Sequence, residues 1–278
     1  MKPSQFLAAA RVSLRNVVLG SNAMSLKLMR HPGRVVGYAS ESLFLYRAYS
    51  GERPLPMKNV FDLFPEAERV DIRLGYLQPT TIYGEPWMHQ ISSYTADIVS
   101  LCTLASILKP KTVFEIGTLH GYTAYHFAMN SPDDCTVYSL DLPKEAPVAP
   151  SLRTTVVDDA HIGMKYVEYC FSGKEEEKKI KLLFGDSARY DYAPFADKVD
   201  LFFIDGAHSY EYVRSDTLNA LQCVRPGGVI AWHDFGRVGV NGVSRWLGEM
   251  RAKGAPVFSI PGGSLAFMRM PETKLTLQ

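Results

Sequence analysis

The chain has 278 residues, of which 46% are hydrophobic, 21% charged and 12% aromatic, a globular composition that excludes a disordered, collagen-like or disulfide-dense protein. Thirty Lys and Arg against 29 Asp and Glu give a net charge of +1, which leaves no overall field to attract nucleic acid. The charge is uneven along the chain: residues 1–50 hold Lys2, Arg11, Arg15, Lys27, Arg30, Arg34 and Arg47 against Glu41 alone, a net +6 that leaves −5 on the rest. Residues 1–80 therefore read as a basic, mostly helical N-terminal extension, and its positive face suits a peripheral contact with anionic lipid or a carrier protein. Its apolar stretches, Phe6–Ala10 and Val17–Leu19, are too short to span a bilayer, and no small-residue cleavage site follows them. Cys102, Cys135, Cys170 and Cys223 are widely spaced and form no Cys-x-x-Cys pair, which fits a reducing cytoplasm rather than a zinc clamp or a disulfide framework.

Beyond Gly51–Pro56, whose Gly and two Pro interrupt any long helix, a second regime begins near residue 81. A helical pattern runs from about residue 88 to Leu108, and Lys109-Pro110 closes it. Strands are then predicted at Thr112–Ile116, Thr136–Leu140, Ile180–Phe184, Val199–Ile204 and Val229–His233. Helices are predicted around Tyr122–Met129, His161–Phe171, Tyr210–Cys223 and Val243–Lys253. This alternation specifies a parallel sheet with helices on both faces. Pro256–Ile260 and Ser264–Met270, joined through Pro261-Gly262-Gly263, read as an antiparallel hairpin at the sheet edge, and Lys174–Lys179 as a solvated helix end or loop.

Chemistry gathers where these strands end. Strand one runs through Glu115-Ile-Gly117-Thr118-Leu-His120-Gly121-Tyr122 into a helix, and glycines at such a turn let a ligand approach the backbone and the free N–H groups of the helix. Leu119 and Tyr122 stand where a dinucleotide fingerprint needs glycine, and no Walker lysine follows, so NAD and a phosphate-binding P-loop are disfavoured. Glu115-x-Gly117-x-x-x-Gly121 instead resembles the first motif of class I S-adenosylmethionine-dependent methyltransferases. In that resemblance the acidic residue reaches toward the methionine end of the cofactor, and Thr118, His120, Gly121 and Tyr122 flank it. Asp141, at the end of the second strand, either accepts both ribose hydroxyls or caps the strand. Gly185-Asp186-Ser187, after the third, is a common turn that the resemblance places against the adenine.

The fourth and fifth strands lead into Asp205-Gly-Ala-His208-Ser-Tyr210 and Pro226-Gly-Gly…His233-Asp234-Phe235, so Asp205, His208, His233 and Asp234 can converge with Glu115 and Asp141 at the carboxyl ends of the sheet. Asp-x-x-His-x-Tyr followed by Pro-Gly-Gly and His-Asp resembles the branch holding antibiotic-tailoring and sugar O-methyltransferases, and more distantly the catechol and caffeoyl-CoA O-methyltransferases. The resemblance covers roughly residues 85–270. It implies a Rossmann-like α/β fold, a seven-stranded sheet with an antiparallel last strand, in a methyltransferase domain over 81–278 that follows the helical extension. It also implies S-adenosylmethionine as methyl donor, a hydroxyl of a small molecule such as a sugar or natural product as acceptor, and pairing into homodimers. His208 maps to the general base, and an imidazole with a pKa near 6.5 suits proton removal at neutral pH; the bland alternative is a helix cap. Asp205 assists it or touches the cofactor. The family's divalent ion maps to Asp205, His233 and Asp234, where a histidine replaces an oxygen ligand; either Mn²⁺ replaces Mg²⁺, or His233 points elsewhere, or no ion is used. Trp87, Met88 and His89, with aromatics of Tyr83–Tyr94 and Trp232, Phe235 and Trp246, either shape the ligand pocket or fill the core. Rival readings are a non-catalytic cofactor-binding module and an N- or C-methyltransferase on the same fold.

Overall fold

The computed structural model describes residues 55–67, 69–75, 91–143, 148–162, 168–237 and 240–272. The basic segment 1–50 and Trp87, Met88 and His89 lie outside them. No helix among the described residues is long and apolar enough to cross a membrane.

The strands are β1 Thr112–Ile116, β2 Thr136–Asp141, β3 Ile180–Phe184, β4 Val199–Ile204, β5 Val224–Trp232, β6 Phe258–Ser259 and β7 Ala266–Arg269. The α-helices among the described residues are α1 Ile91–Leu108, α2 Tyr122–Asn130, α3 Val156–Ile162, α4 Tyr210–Cys223 and α5 Asn241–Ala252. The strands form one sheet in the order β3-β2-β1-β4-β5-β7-β6, parallel through β5, with β7 antiparallel to both β5 and β6. This is the expected seven-stranded sheet with its hairpin at the edge.

Period-two alternation assigns side chains to the two faces of the sheet. Phe114, Ile116, Phe202, Ile204, Ile230 and Trp232 pack against α4 and α5 on one face. Val113, Val137, Leu201, Phe203, Val229 and Ala231 pack against α1 and α2 on the other. Every residue of the central β4 is buried, as a strand covered on both faces requires. Trp232, fully buried, donates its indole N–H to Thr217 Oγ1 (2.9 Å); like Trp246 and Phe235 it belongs to the core rather than to a ligand pocket.

A carboxylate ties the amino ends of the central strands together. Asp200 accepts from the backbone N–H groups of Lys111 (2.8 Å) and Thr112 (2.9 Å) and from Arg225 Nε (2.5 Å), so one side chain links β1, β4 and β5. Asp200→Ala is expected to lower stability by about 2–3 kcal/mol, because it strips the acceptor from two backbone donors and a guanidinium. The midpoint of urea unfolding checks this; an unchanged midpoint would show that solvent satisfies those groups.

Two local expectations are corrected. The helix predicted around His161–Phe171 starts earlier, at Val156, and is described to Ile162; residues 163–167 lie outside the described residues, and 170–173 form a turn. Its start is set by a capping box: Asp158 N–H donates to Thr155 Oγ1 (3.2 Å) while Asp158 Oδ2 accepts from Thr155 N–H (2.6 Å). Within the charge run Lys174–Lys179, Glu176 and Lys179 are buried rather than solvated. Lys179 Nζ donates to the carbonyls of Ala128 (3.1 Å) and Ser131 (3.0 Å), satisfying acceptors at the end of α2.

Candidate active site

In an open α/β sheet the ligand crevice lies where the strand order reverses, here between β1 and β4, at the carboxyl ends. The turn after β1 is built for close approach. Gly117 has φ +96°, and a Cβ there would lie well under 3.0 Å from the carbonyl oxygen of Asp205. The ends of β1 and β4 are correspondingly stitched by Asp205 N–H donating to the Ile116 carbonyl (2.9 Å). Leu119 (φ +49°) and Gly121 (φ +84°) complete the turn, and Gly121 caps α2 without any side-chain acceptor. His120 and Tyr122 stack with ring centroids 6.0 Å apart beside it.

Glu115 is buried, and its carboxylate accepts the Ser139 hydroxyl, which in turn pairs with Thr118 Oγ1 at 2.7 Å. Burial pushes its pKa well above the ordinary carboxylate value; the Ser139 hydroxyl opposes this, and the charges of Asp205 and Asp141 add to it. Asp141 accepts from Leu119 N–H (3.0 Å, Oδ2) and from Leu142 N–H (2.8 Å, Oδ1), which fixes its plane at the end of β2. Asp186 accepts from Ser151 N–H (2.8 Å), Ala188 N–H (3.0 Å) and the Tyr212 hydroxyl (3.0 Å), so its carboxylate largely pins the neighbouring loop, with Ser187 beside it. Burial acts to raise the Asp186 pKa, but these hydrogen bonds outweigh it and hold the group below the ordinary value.

Beyond Asp205 the site becomes an alternation of carboxylates and imidazoles. His208 Nδ1 lies 2.6 Å from Asp158 Oδ1 and Nε2 lies 2.7 Å from Asp234 Oδ2, while its backbone N–H also donates to Asp158 Oδ1 (3.0 Å). His233, buried, places Nε2 3.2 Å from Asp97 Oδ2, and Nδ1 3.1 Å from Asp205 Oδ1 and 3.2 Å from Asp234 Oδ1. Arg237 Nε closes on Asp234 Oδ1 at 3.0 Å. Asp234 itself has φ +61°, a strained conformation for a residue with a Cβ.

Burial alone would lower the His208 pKa, but the hydrogen bonds and charges of Asp158 and Asp234 raise it to about 10. His233 is raised for the same kind of reason, against its burial, by Asp205 and Asp234. The carboxyls answer in the opposite direction. Burial would raise Asp158, but His208 and the backbone N–H groups of Thr155 and His208 lower it. Asp234 is held well below the ordinary value because His233 and His208 outweigh burial. Both shifts favour the protonated imidazolium over the neutral ring among these carboxylates. His208 is at the expected place but not in the expected state, because two carboxylates bracket an imidazole whose unperturbed pKa motivated its assignment.

The metal-ligating geometry also differs in detail from the expected Asp205, His233 and Asp234. Among the described residues, the cluster whose ligand atoms all lie within 4.8 Å of one another is Asp205, His208 and Asp234, with His233 Nδ1 3.1 Å from Asp205 and 3.2 Å from Asp234 beside it. Two carboxylates and an imidazole, partly open to solvent, form a donor set that fits a divalent ion of mixed oxygen and nitrogen preference, Mn²⁺ better than Mg²⁺.

Asp158 and Asp97 escaped the sequence reading. Asp158 carried a signal in the Thr155-x-x-Asp158 box, which marks a helix start but not a partner 50 residues away. Asp97 is the only acidic or basic residue in the 18-residue α1, and a lone buried charge on such a helix implies a partner. Its partners are His233 and Ser264, whose N–H and Oγ each donate at 2.8 Å. Gly263 is required there, since a Cβ would collide with Asp97 Oδ1.

A doubly wound sheet with a glycine turn after β1, acidic strand ends after β2 and β4, and an antiparallel β7 defines the class I methyltransferase architecture. Residues 114–235 match the family model of a methyltransferase domain. Solved structures with overall likeness include the O-methyltransferase TomG from Streptomyces achromogenes in complex with SAM (18% identity, 76% of this chain and 96% of that one, TM-score 0.45). The O-methyltransferase from Bacillus cereus in complex with SAH is similar at 18% identity, 63% and 80% coverage and TM-score 0.40. The O-methyltransferase NovP is similar at 15% identity, 63% and 79% coverage and TM-score 0.44. No curated protein matches the sequence.

Proposed function

We propose that the protein transfers the methyl group of S-adenosylmethionine to a hydroxyl of a small molecule such as a sugar or natural product. The observation that carries this reading is the Asp158–His208–Asp234 array, set beside Asp205 at the crevice where β1 and β4 diverge. Bound there, the cofactor supplies a sulfonium methyl that an acceptor oxygen attacks in line. The residues of the chain hold it and prepare the acceptor. The start of α2, which has no side-chain cap, and the left-handed turn Gly117–Gly121 suit the methionine carboxylate, the paired carboxylate oxygens of Asp141 at the end of β2 suit two ribose hydroxyls, and Ser187 lies at the adenine end with Asp186.

Proton removal falls to His208. With both nitrogens bonded to carboxylates and a pKa near 10, the imidazole accepts a proton only after losing its own and exchanging Asp234 for the acceptor at Nε2. Asp158 is the positioning residue in this scheme: it bonds both the backbone and Nδ1 of His208 and so aims Nε2 at the crevice. In a metal-assisted variant of the reaction, Asp205, His208 and Asp234 would hold a divalent ion that would lower the pKa of an acceptor hydroxyl, and His208, its Nε2 then a ligand, would not serve as the base.

Calorimetric titration with S-adenosylmethionine and S-adenosylhomocysteine, with NAD as control, tests the cofactor. Binding is expected for the first two only, weakened at least about tenfold by Asp141→Ala through loss of the ribose contact. A wild type that binds neither would overturn the reading. An acceptor screen with and without EDTA and Mn²⁺ then separates O- from N- and C-methylation and decides the role of the ion.

A further inference from the structure

Asp216 lies on the inner side of α4 with no exposed surface, and neither carboxylate oxygen has a hydrogen bond of ordinary geometry. An ionised carboxylate in that position would be costly. Its place in the fold gives the group meaning. A Cβ on Gly206, the residue after Asp205, would stand 3.8 Å from Asp216 Oδ2, so the carboxyl sits directly behind the loop that follows β4. From the loop after β3, the Ser187 hydroxyl and the Asp186 charge act on it. The Tyr192 hydroxyl, also buried and without a hydrogen-bond partner, feels its charge from that side too. Asp216 thus stands between the loop after β3, which the proposed function places at the adenine, and the loop after β4, which carries Asp205.

We propose that Asp216 is a positioning residue for the adenosine subsite: as a neutral carboxyl it lets the loops after β3 and β4 close together, and as an anion it pushes them apart. The inference rests on the cofactor reading above. Burial raises the carboxyl to about 7, the Ser187 hydroxyl opposes this, and the Asp186 charge adds to it. The groups facing this region are Asp186 and Tyr192 from the loop after β3, Asp205 at the end of β4, and Tyr212 from α4 itself. β5 presents Trp232, which does not titrate and whose N–H belongs to Thr217. Cofactor affinity should therefore fall as pH rises through neutrality, the direction opposite to that for a carboxylate that binds as an anion.

The test is calorimetric titration of S-adenosylhomocysteine from pH 5.5 to 8.5 into wild type, Asp216→Asn and Ser187→Ala. Wild-type Kd is expected to rise about tenfold between pH 6 and pH 8, since one ionisation is linked to binding. Asp216→Asn, which keeps the neutral shape, should retain the tight low-pH value throughout. Ser187→Ala, which removes the group favouring the anion, should move the midpoint to higher pH, and it decides the matter if Asp216→Asn does not fold. Binding with no pH slope in wild type, or the same slope in Asp216→Asn, would overturn the proposal and leave the cofactor reading standing. Failure of wild type to bind at any pH would overturn that reading and this proposal with it.

Discussion

Gly117→Ala is expected to remove measurable cofactor binding and to lower the unfolding midpoint sharply. Two costs combine. At φ +96° an L-residue pays for a conformation that glycine adopts freely, about 1–2 kcal/mol. The added Cβ also has no room, because the Asp205 carbonyl oxygen already occupies its position and is held there by the stitch between Asp205 and Ile116. Relief requires the ends of β1 and β4 to separate, which opens the crevice and misplaces Asp205. We expect a loss of roughly 3 kcal/mol or more in both stability and affinity, the latter at least about a hundredfold, measured by urea unfolding and calorimetry. Gly173→Ala is the control: Gly173 also has positive φ (+71°), but a Cβ there meets nothing within 4 Å, so it reports the backbone cost alone. Equal losses in the two variants would refute the close-approach argument.

His208→Ala is expected to cost about 3–5 kcal/mol of stability near neutral pH, because it leaves Asp158 and Asp234 buried without the cation between them. The pH dependence gives a sharper test. A group whose folded pKa stands above its unfolded value contributes stability that is complete below the unfolded value and is lost as pH rises through the folded one. For His208 those limits are 6.5 and about 10, so wild-type stability should decline steadily between pH 7 and pH 10. His208→Gln keeps the shape without the charge and should show a shallower decline, the remainder coming from His233, which is raised in the same direction. In the same variants, single-turnover methylation of an identified acceptor should fall by about 10²–10⁴, the range for a lost acid–base group. A His208→Gln protein with the wild-type pH slope would show that the imidazole is not the charge in question.

Much of the fold was legible because it is periodic. A buried strand such as Val199–Ile204 announces itself as an apolar run, and Gly117 and Gly121 mark a turn that few other residues can make. The early start of the helix at Val156 was missed because it is set by a capping box of two side chains rather than by the apolar pattern farther along. Asp205, His208 and Asp234 were legible as a group, since strand ends in a parallel sheet meet on one side whatever the loops do.

What the amino-acid sequence determined by itself was therefore local and repetitive: the alternation of strand and helix, the glycine turn, and which acidic and imidazole groups sit at strand ends. The protonation state of those groups was decided only by tertiary structure. Whether an imidazole has a pKa near 6.5 or near 10 depends on carboxylates within about 3 Å. For His208 one of these comes from α3, 50 residues away, and for His233 one comes from α1, with a hairpin turn 31 residues off placing Ser264 against the same carboxylate. Electrostatic interactions fall off with distance in space and are indifferent to distance along the chain, so the same residues in the same order carry no record of that pairing until the sheet has brought them together.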